Sequence, residues 1–249
     1  MINLNIDIMI FANRKLSEIV TDFPFVAGLL ESHDLDYCCR GKQTLEEACE
    51  TKAKLETLEE ELSFLVREQE SNAKATNPEV LSNAELVDLI VNKHHDYVKA
   101  ALPIISAHLF KVSSKHGSKH PELHEIYSIF ERVAEEMTAH MIKEERILFP
   151  AIKEIQKLAE TGLDTLDAQR LNAPMQVMEM EHETVGDLLA DIKKLSARYT
   201  PPSDACMTYK ISFEELKEFE EDLHRHVHLE NNILFPRVRQ SQFSAHSNG

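Results

Sequence analysis

The sequence predicts an all-α protein: a four-helix bundle preceded by a small helical N-terminal domain. Three observations carry that expectation. The 249 residues hold only 6 Gly, 9 Pro and no Trp, while Glu, Leu and Ala are frequent, a mixture that favours helix over strand. Apolar residues recur at helical, not alternating, spacing. The second part of the chain also carries two copies of one helical pattern.

Taken in order, residues 16–32 place Leu16, Ile19, Val20, Phe23, Val26, Leu29 and Leu30 at helical spacing, interrupted by Pro24. Two short helices are expected in place of one. Residues 36–45 read DYCCRGKQTL. Thr44 with Glu47 three residues on is a capping-box pattern, so a helix should run from Leu45 to about Arg67, with Leu55, Leu58, Leu62 and Leu65 on its apolar face. EQESNAKATNPE (68–79) is polar, contains Pro78 and reads as a linker. A boundary near residue 75 divides the chain into domains at 1–75 and 76–249. Beyond Ser82, long helical segments at 82–111, 121–158, 168–197 and 205–240 are separated by SSKHGSKHP, TGLDTLD and TPPSD. Long helices joined by short loops make an antiparallel bundle.

The formal net charge of −16 repels phosphate backbones and anionic lipid, which argues against nucleic acid as a partner. No apolar run approaches the roughly 20 residues of a membrane span. The start, MINLNIDIMIFANRK, has an early Asp7 and no basic stretch before its apolar residues, a poor export signal. Four cysteines without a regular framework fit free thiols in a reducing cytoplasm.

The repeat carries the chemistry. His140-Met-Ile-Lys-Glu144 runs into Glu-Arg-Ile147-Leu148-Phe149-Pro150, and His226-Val-His-Leu-Glu230 into Asn-Asn-Ile233-Leu234-Phe235-Pro236. Both fit H-x3-E-x2-I-L-F-P, 86 residues apart. His95-Asp-Tyr-Val98 and His182-Glu-Thr-Val185 share H-x-x-V at a spacing of 87. A duplicated helical hairpin is expected. Residues four apart share a helix face, so His140 with Glu144 and His226 with Glu230 each direct an imidazole and a carboxylate inward. His95 and His182 come from the other two helices. Imidazole with carboxylate suits iron or manganese, and a buried carboxylate without a cation is costly. A single H-x3-E pair is ordinarily a surface pair; two in a duplicated frame, each leading into ILFP, point to metal.

Cys38 and Cys39 are neighbours, and adjacent cysteines bridge poorly. Arg40, Lys42 and the helix start at Thr44 are expected to favour thiolate.

Together these residues resemble hemerythrin-like di-iron proteins. With DYCCRGKQTL placed ahead of the bundle, they resemble more closely the branch that repairs damaged iron–sulfur clusters. MIKEERILFP, VMEMEHETVG, TPPSDAC and HLENNILFP follow in that order, so the resemblance covers nearly the whole chain. It implies two iron ions, oxo- or hydroxo-bridged, ligated by His95, His140, Glu144, His182, His226 and Glu230. It also implies Cys38 and Cys39 as working thiols, damaged iron–sulfur proteins as partners, and nitric oxide or peroxide as small ligands. Iron donation fits this reading, as does a homodimer. The alternatives are a gas-binding or redox-sensing module without turnover, and a di-iron nitric oxide reductase. Oxygen carriers of the family have H-x3-H on the third helix; here the residue four after His182 is Gly186. Ferritin-like oxidases have E-x-x-H on two helices; here that spacing reaches only one proposed ligand, from Glu179 to His182.

Periodicity alone favours His94 over His95, because Val87, Val91, Val98 and Ile105 centre nearer His94; the repeat and the family pattern favour His95. His224 and His228 are expected to face solvent, as are His108, His116, His120 and His124. His116 is the first candidate for a further ligand or channel residue. Glu145 is expected beside the site or at the surface, Tyr97, Met137 and Met141 in the packing, and Cys49 and Cys206 as structural thiols.

Overall fold

The structure, a computed structural model, describes residues 11–70, 81–160 and 168–244. Among these residues the chain is helical apart from turns and one isolated antiparallel bridge between Lys15 and Thr44. It divides into two compact units, Met1–Leu81 and Ser82–Gly249. The boundary expected near residue 75 lies outside the described residues.

The first unit holds α1 (Leu16–Asp22), a 3-10 turn at Pro24–Val26, α2 (Ala27–Ser32), α3 (Leu45–Ala48) and α4 (Lys52–Glu70). Pro24 divides α1 from α2 because its ring fixes φ and it has no N–H to donate to the preceding turn. Thr44 and Glu47 form the reciprocal cap of α3. The helix expected over 45–67 is two helices. Cys49 leaves the helical region, and the Thr51 hydroxyl accepts from the Lys54 amide at 3.2 Å to start α4 anew. Leu16, Ile19, Val26, Leu30, Leu45, Leu58 and Leu62 form the core.

The second unit is built on four long rods. The first is α5 (Asn83–Leu89), a π turn (Ile90–His95) and α6 (Asp96–His116). The second is α7 (Glu122–Lys143), a π turn (Glu144–Leu148) and α8 (Phe149–Glu160). The third is α9 (Asn172–Leu195), entered through a 3-10 turn at Ala168–Leu171. The fourth is α10 (Met207–His228), a π turn (Leu229–Leu234) and α11 (Phe235–Ser244). Ser82 caps α5 through the Glu85 amide, and Glu85 returns the bond to the Ser82 amide. α6 packs on α7 and α10, α7 on α9, and α5 on α8. TGLDTLD lies outside the described residues. SSKHGSKHP is only partly a break: α6 continues to His116, and the turn waits for Gly117. There the amide bonds Ser113 O at 2.8 Å, and an added Cβ would stand 2.3 Å from that same oxygen.

Candidate metal centre

Three rods widen into a π turn at the height of the duplicated motifs, where backbone bonds close over five residues instead of four. Two of these turns have a covalent reason. Pro150 and Pro236 lack N–H groups, and each ring crowds the carbonyl four residues earlier. Those carbonyls, of Arg146 and Asn232, lie inside the π turns Glu144–Leu148 and Leu229–Leu234. The extra residue per turn changes which side chains face inward.

The inward residues are His95, His140, Glu144, His182, His226 and Glu230, all buried, with both carboxylates at 0% exposure. They form two overlapping groups, His95/Glu144/His226/Glu230 and His140/Glu144/His182/Glu230, each with its donor atoms within 4.8 Å of one another. Glu144 and Glu230 belong to both. Oε2 of Glu144 lies 3.3 Å from His95 Nε2 and 3.2 Å from His140 Nε2. Glu230 offers Oε1 to His226 Nε2 and Oε2 to His182 Nε2, each at 3.1 Å. The Nε2 atoms of His95 and His226 are 3.2 Å apart, and those of His140 and His182 are 3.0 Å apart.

Direct charge pairing accounts poorly for this arrangement. Neither oxygen of Glu144 receives a hydrogen bond, nor does Oε2 of Glu230. Two buried carboxylates cost several kcal/mol each to desolvate. A cation between the facing nitrogen and oxygen lone pairs satisfies all of them, and this donor set suits a first-row transition metal.

Behind the cluster, hydrogen bonds orient the rings. His95 Nδ1 bonds Glu145 Oε1 at 2.8 Å, His140 Nδ1 bonds Glu181 Oε2 at 2.9 Å, and His182 Nδ1 meets Asn231 Oδ1 at 3.0 Å. With Nδ1–H donated outward, Nε2 keeps its lone pair for the interior. Lys99 pairs with Glu145, and Lys143 with Glu181. His226 Nδ1 has no partner.

The electrostatics follow. Burial and the nearby Glu230 both oppose ionisation of Glu144, yet His140 and His95 outweigh them and hold it below the usual carboxylate range. Burial likewise opposes the charge on Glu230, but His226 and His182 hold it well below that range. Burial pulls His140 down, but Glu144 and Glu181 lift it to about 10. His95 is raised against its burial, chiefly by Glu144. For His226 burial prevails over Glu230, and its value falls.

His94 and His95 both lie at the end of the first π turn, but only His95 joins the cluster. His94 Nδ1 meets Asp222 at 3.0 Å, and its ring stacks on His226 at 5.7 Å. Several expectations need correction. His228 is buried, and Asn232 lies 3.3 Å from its Nδ1. His108 and His120 are half-buried and paired, with Glu215 and with Asp204 and Glu122 respectively. His116 cannot serve the cluster. It lies 21 residues beyond His95 on the same rod, about 31 Å along the axis, where its Nε2 meets Cys206 Sγ at 3.2 Å. Glu179 is held by Arg239 in a two-point ion pair at 2.9 and 3.0 Å.

In the first unit, the cysteine loop is tied to α1. Gln43 O and Gly41 O accept from the amides of Leu16 and Ser17, and the Ser17 hydroxyl also reaches Gly41 O at 2.8 Å. A Cβ at Gly41 would stand 2.2 Å from Tyr37 O, so only glycine fits. Asp36 Oδ1 accepts from the amides of Cys38 and Cys39 and from the Cys38 thiol at 3.0 Å. The two sulfurs are 3.8 Å apart. The expectation of thiolate fails for Cys38: its bond to Cys39, burial and the Asp36 charge push the thiol well above its ordinary value. Arg40 and Lys42 are exposed. Cys39 is half-buried.

Comparison with known proteins bears on both units. Residues 87–238 match the model of the hemerythrin HHE cation-binding domain, and residues 12–65 match a domain of unknown function, DUF542. A protein of Haemophilus influenzae described as a probable iron-sulfur cluster repair protein is 36% identical over 233 residues, covering 92% of this chain and 98% of that protein. The iron-sulfur cluster repair proteins YtfE of an Enterobacter species and of Citrobacter koseri are each 35% identical over 231 residues, with the same coverage.

Proposed function

The chain belongs to the family of iron–sulfur cluster repair proteins with a hemerythrin HHE cation-binding domain, and from that premise we propose that it repairs damaged iron–sulfur clusters by means of two iron ions held in the buried cluster. His95 and His226 would hold one ion and His140 and His182 the other, with Glu144 and Glu230, which belong to both groups, serving each. The observation that carries this reading is the pair of fully buried carboxylates facing four imidazoles, with both oxygens of Glu144 and Oε2 of Glu230 lacking a hydrogen bond. Two histidines and two carboxylates for each ion would leave room for a small ligand such as nitric oxide or peroxide. When bound, the two irons supply one-electron redox chemistry and exchangeable metal.

The residues perform the rest. Glu144 and Glu230 neutralise the cations, and the outward bonds of His95, His140 and His182 fix their rings. Phe149, stacked beside His95 at 5.6 Å, helps exclude water. Without metal, Glu144 and Glu181 favour a proton on His140, and a cation held by that ring would take the proton's place. The Cys38–Cys39 loop, in a domain we place at 1–75, supplies thiols for exchange with a damaged iron–sulfur protein in the cytoplasm.

The test is metal content together with repair. The wild-type chain should hold two irons, and His140→Ala or Glu230→Ala should lose at least one. Full occupancy in both variants would refute the ligand assignment. An apo iron–sulfur protein should regain its cluster with the loaded protein as sole iron source; no recovery would refute donation. Replacing both Cys38 and Cys39 with Ser should leave metal content intact and impair repair.

A further inference from the structure

The duplication gives every group behind the cluster a counterpart, and the counterparts differ. Glu145, which receives His95 Nδ1, corresponds to Asn231, which receives His182 Nδ1. Glu181, which receives His140 Nδ1, corresponds to His94 at the repeat's spacing of 87 residues. His94 gives its own Nδ1 to Asp222 and lies flat against the His226 ring, 10° from parallel, instead of accepting from it. His226 is thus the one cluster histidine with a buried Nδ1 left unpartnered. The lysines change in step. Lys99 and Lys143, which pair with Glu145 and Glu181, fall at Gly186 and Leu229 in the other copy. Neither carboxylate–lysine pair has a counterpart at the related positions, which hold Asn231 with Gly186 and His94 with Leu229.

This difference divides the two positions. His140/His182 is backed by a carboxylate and by an amide. His95/His226 is backed by a carboxylate on one side only. Hydrogen bonds behind a ligand raise its basicity and hold its ring, and losing one costs roughly 10–100-fold in metal affinity. We infer that the two positions are inequivalent: His95/His226 is an exchange site that gives up its cation first, and His140/His182 is a retained site. This inference rests on the two-cation reading above and says which ion is available to leave.

Ferrous iron in the loaded, full-length protein provides the test, with a colour-forming ferrous chelator to follow release under anaerobic conditions. Release should occur in two phases of one iron each, the faster by at least about tenfold. His94→Gln places an amide carbonyl behind His226 and an amide N–H toward Asp222, and should slow the fast phase. Asn231→Leu removes the acceptor behind His182 and should quicken the slow phase. Two irons leaving in a single phase would overturn the inference while leaving the two-cation reading intact, as would an unshifted slow phase in Asn231→Leu or an unshifted fast phase in His94→Gln. Fewer than two irons at saturation would overturn both.

Discussion

Between His140 and Glu181 a single hydrogen bond joins a buried imidazole to a partly exposed carboxylate, and Lys143 anchors that carboxylate from outside. Without metal, Glu144 and Glu181 lift His140 to about 10 against its burial, so it is protonated at neutral pH. The unfolded value is near 6.5, so this pairing contributes its full stability to the metal-free protein below that pH and loses it as pH rises through about 10. Metal must displace the same proton. Ferrous binding to the metal-free protein at pH 7 should therefore release protons and strengthen with pH up to about 10. Calorimetric titration in buffers of different protonation enthalpy measures this, and a buffer-independent heat would contradict it. At this scale the sequence was legible where residues repeat. The duplicated H-x3-E and H-x-x-V frames name the six residues that converge. Periodicity favoured His94 over His95, because a wheel drawn at about 100° per residue takes no account of a π turn, and it is His95 that joins the cluster. Nor did the charges written beside Cys38 describe its surroundings, since Arg40 and Lys42 are exposed while Asp36 accepts the thiol.

The helical class and most helix positions were legible as elements, because apolar spacing and caps such as Thr44/Glu47 and Ser82/Glu85 are local signals, but the π turns were not. Two further kinds of feature were not. The Thr51 cap that restarts α4 sits inside an unbroken helical pattern. Ala197, Arg198 and Tyr199 all adopt left-handed backbone with φ of 49–60° and with no Gly among them. There Arg198 N bonds Lys193 O at 2.7 Å and Tyr199 N bonds Ser196 Oγ at 3.0 Å, so the surroundings override intrinsic preference. Gly117 is the contrasting case, a glycine whose position explains it. Gly117→Ala would press a methyl onto Ser113 O and the His124 ring at 2.3 and 2.1 Å. It should destabilise the bundle by about 1–3 kcal/mol, read by urea denaturation; unchanged stability would mean that the α6–α7 turn relaxes freely.

At the scale of the whole molecule, every member of the cluster and every group behind it lies within Ser82–Gly249. A fragment spanning 82–249 should therefore bind as much iron as the full chain, by elemental analysis. A deficit would show that the first unit contributes to metal retention. Among the described residues no helix is long and apolar enough to cross a membrane. The bundle's four rods are not equal partners. Three have a π turn at the level of the cluster, while α9 runs through it as uninterrupted α-helix, bearing Glu181 and His182. A turn with one residue too many works as a rotary joint, letting the segments above and below it be set at independent angles. α9 has no such joint and so serves as the datum: its two side chains keep the phase dictated by its packing, and the other three rods are turned to meet them.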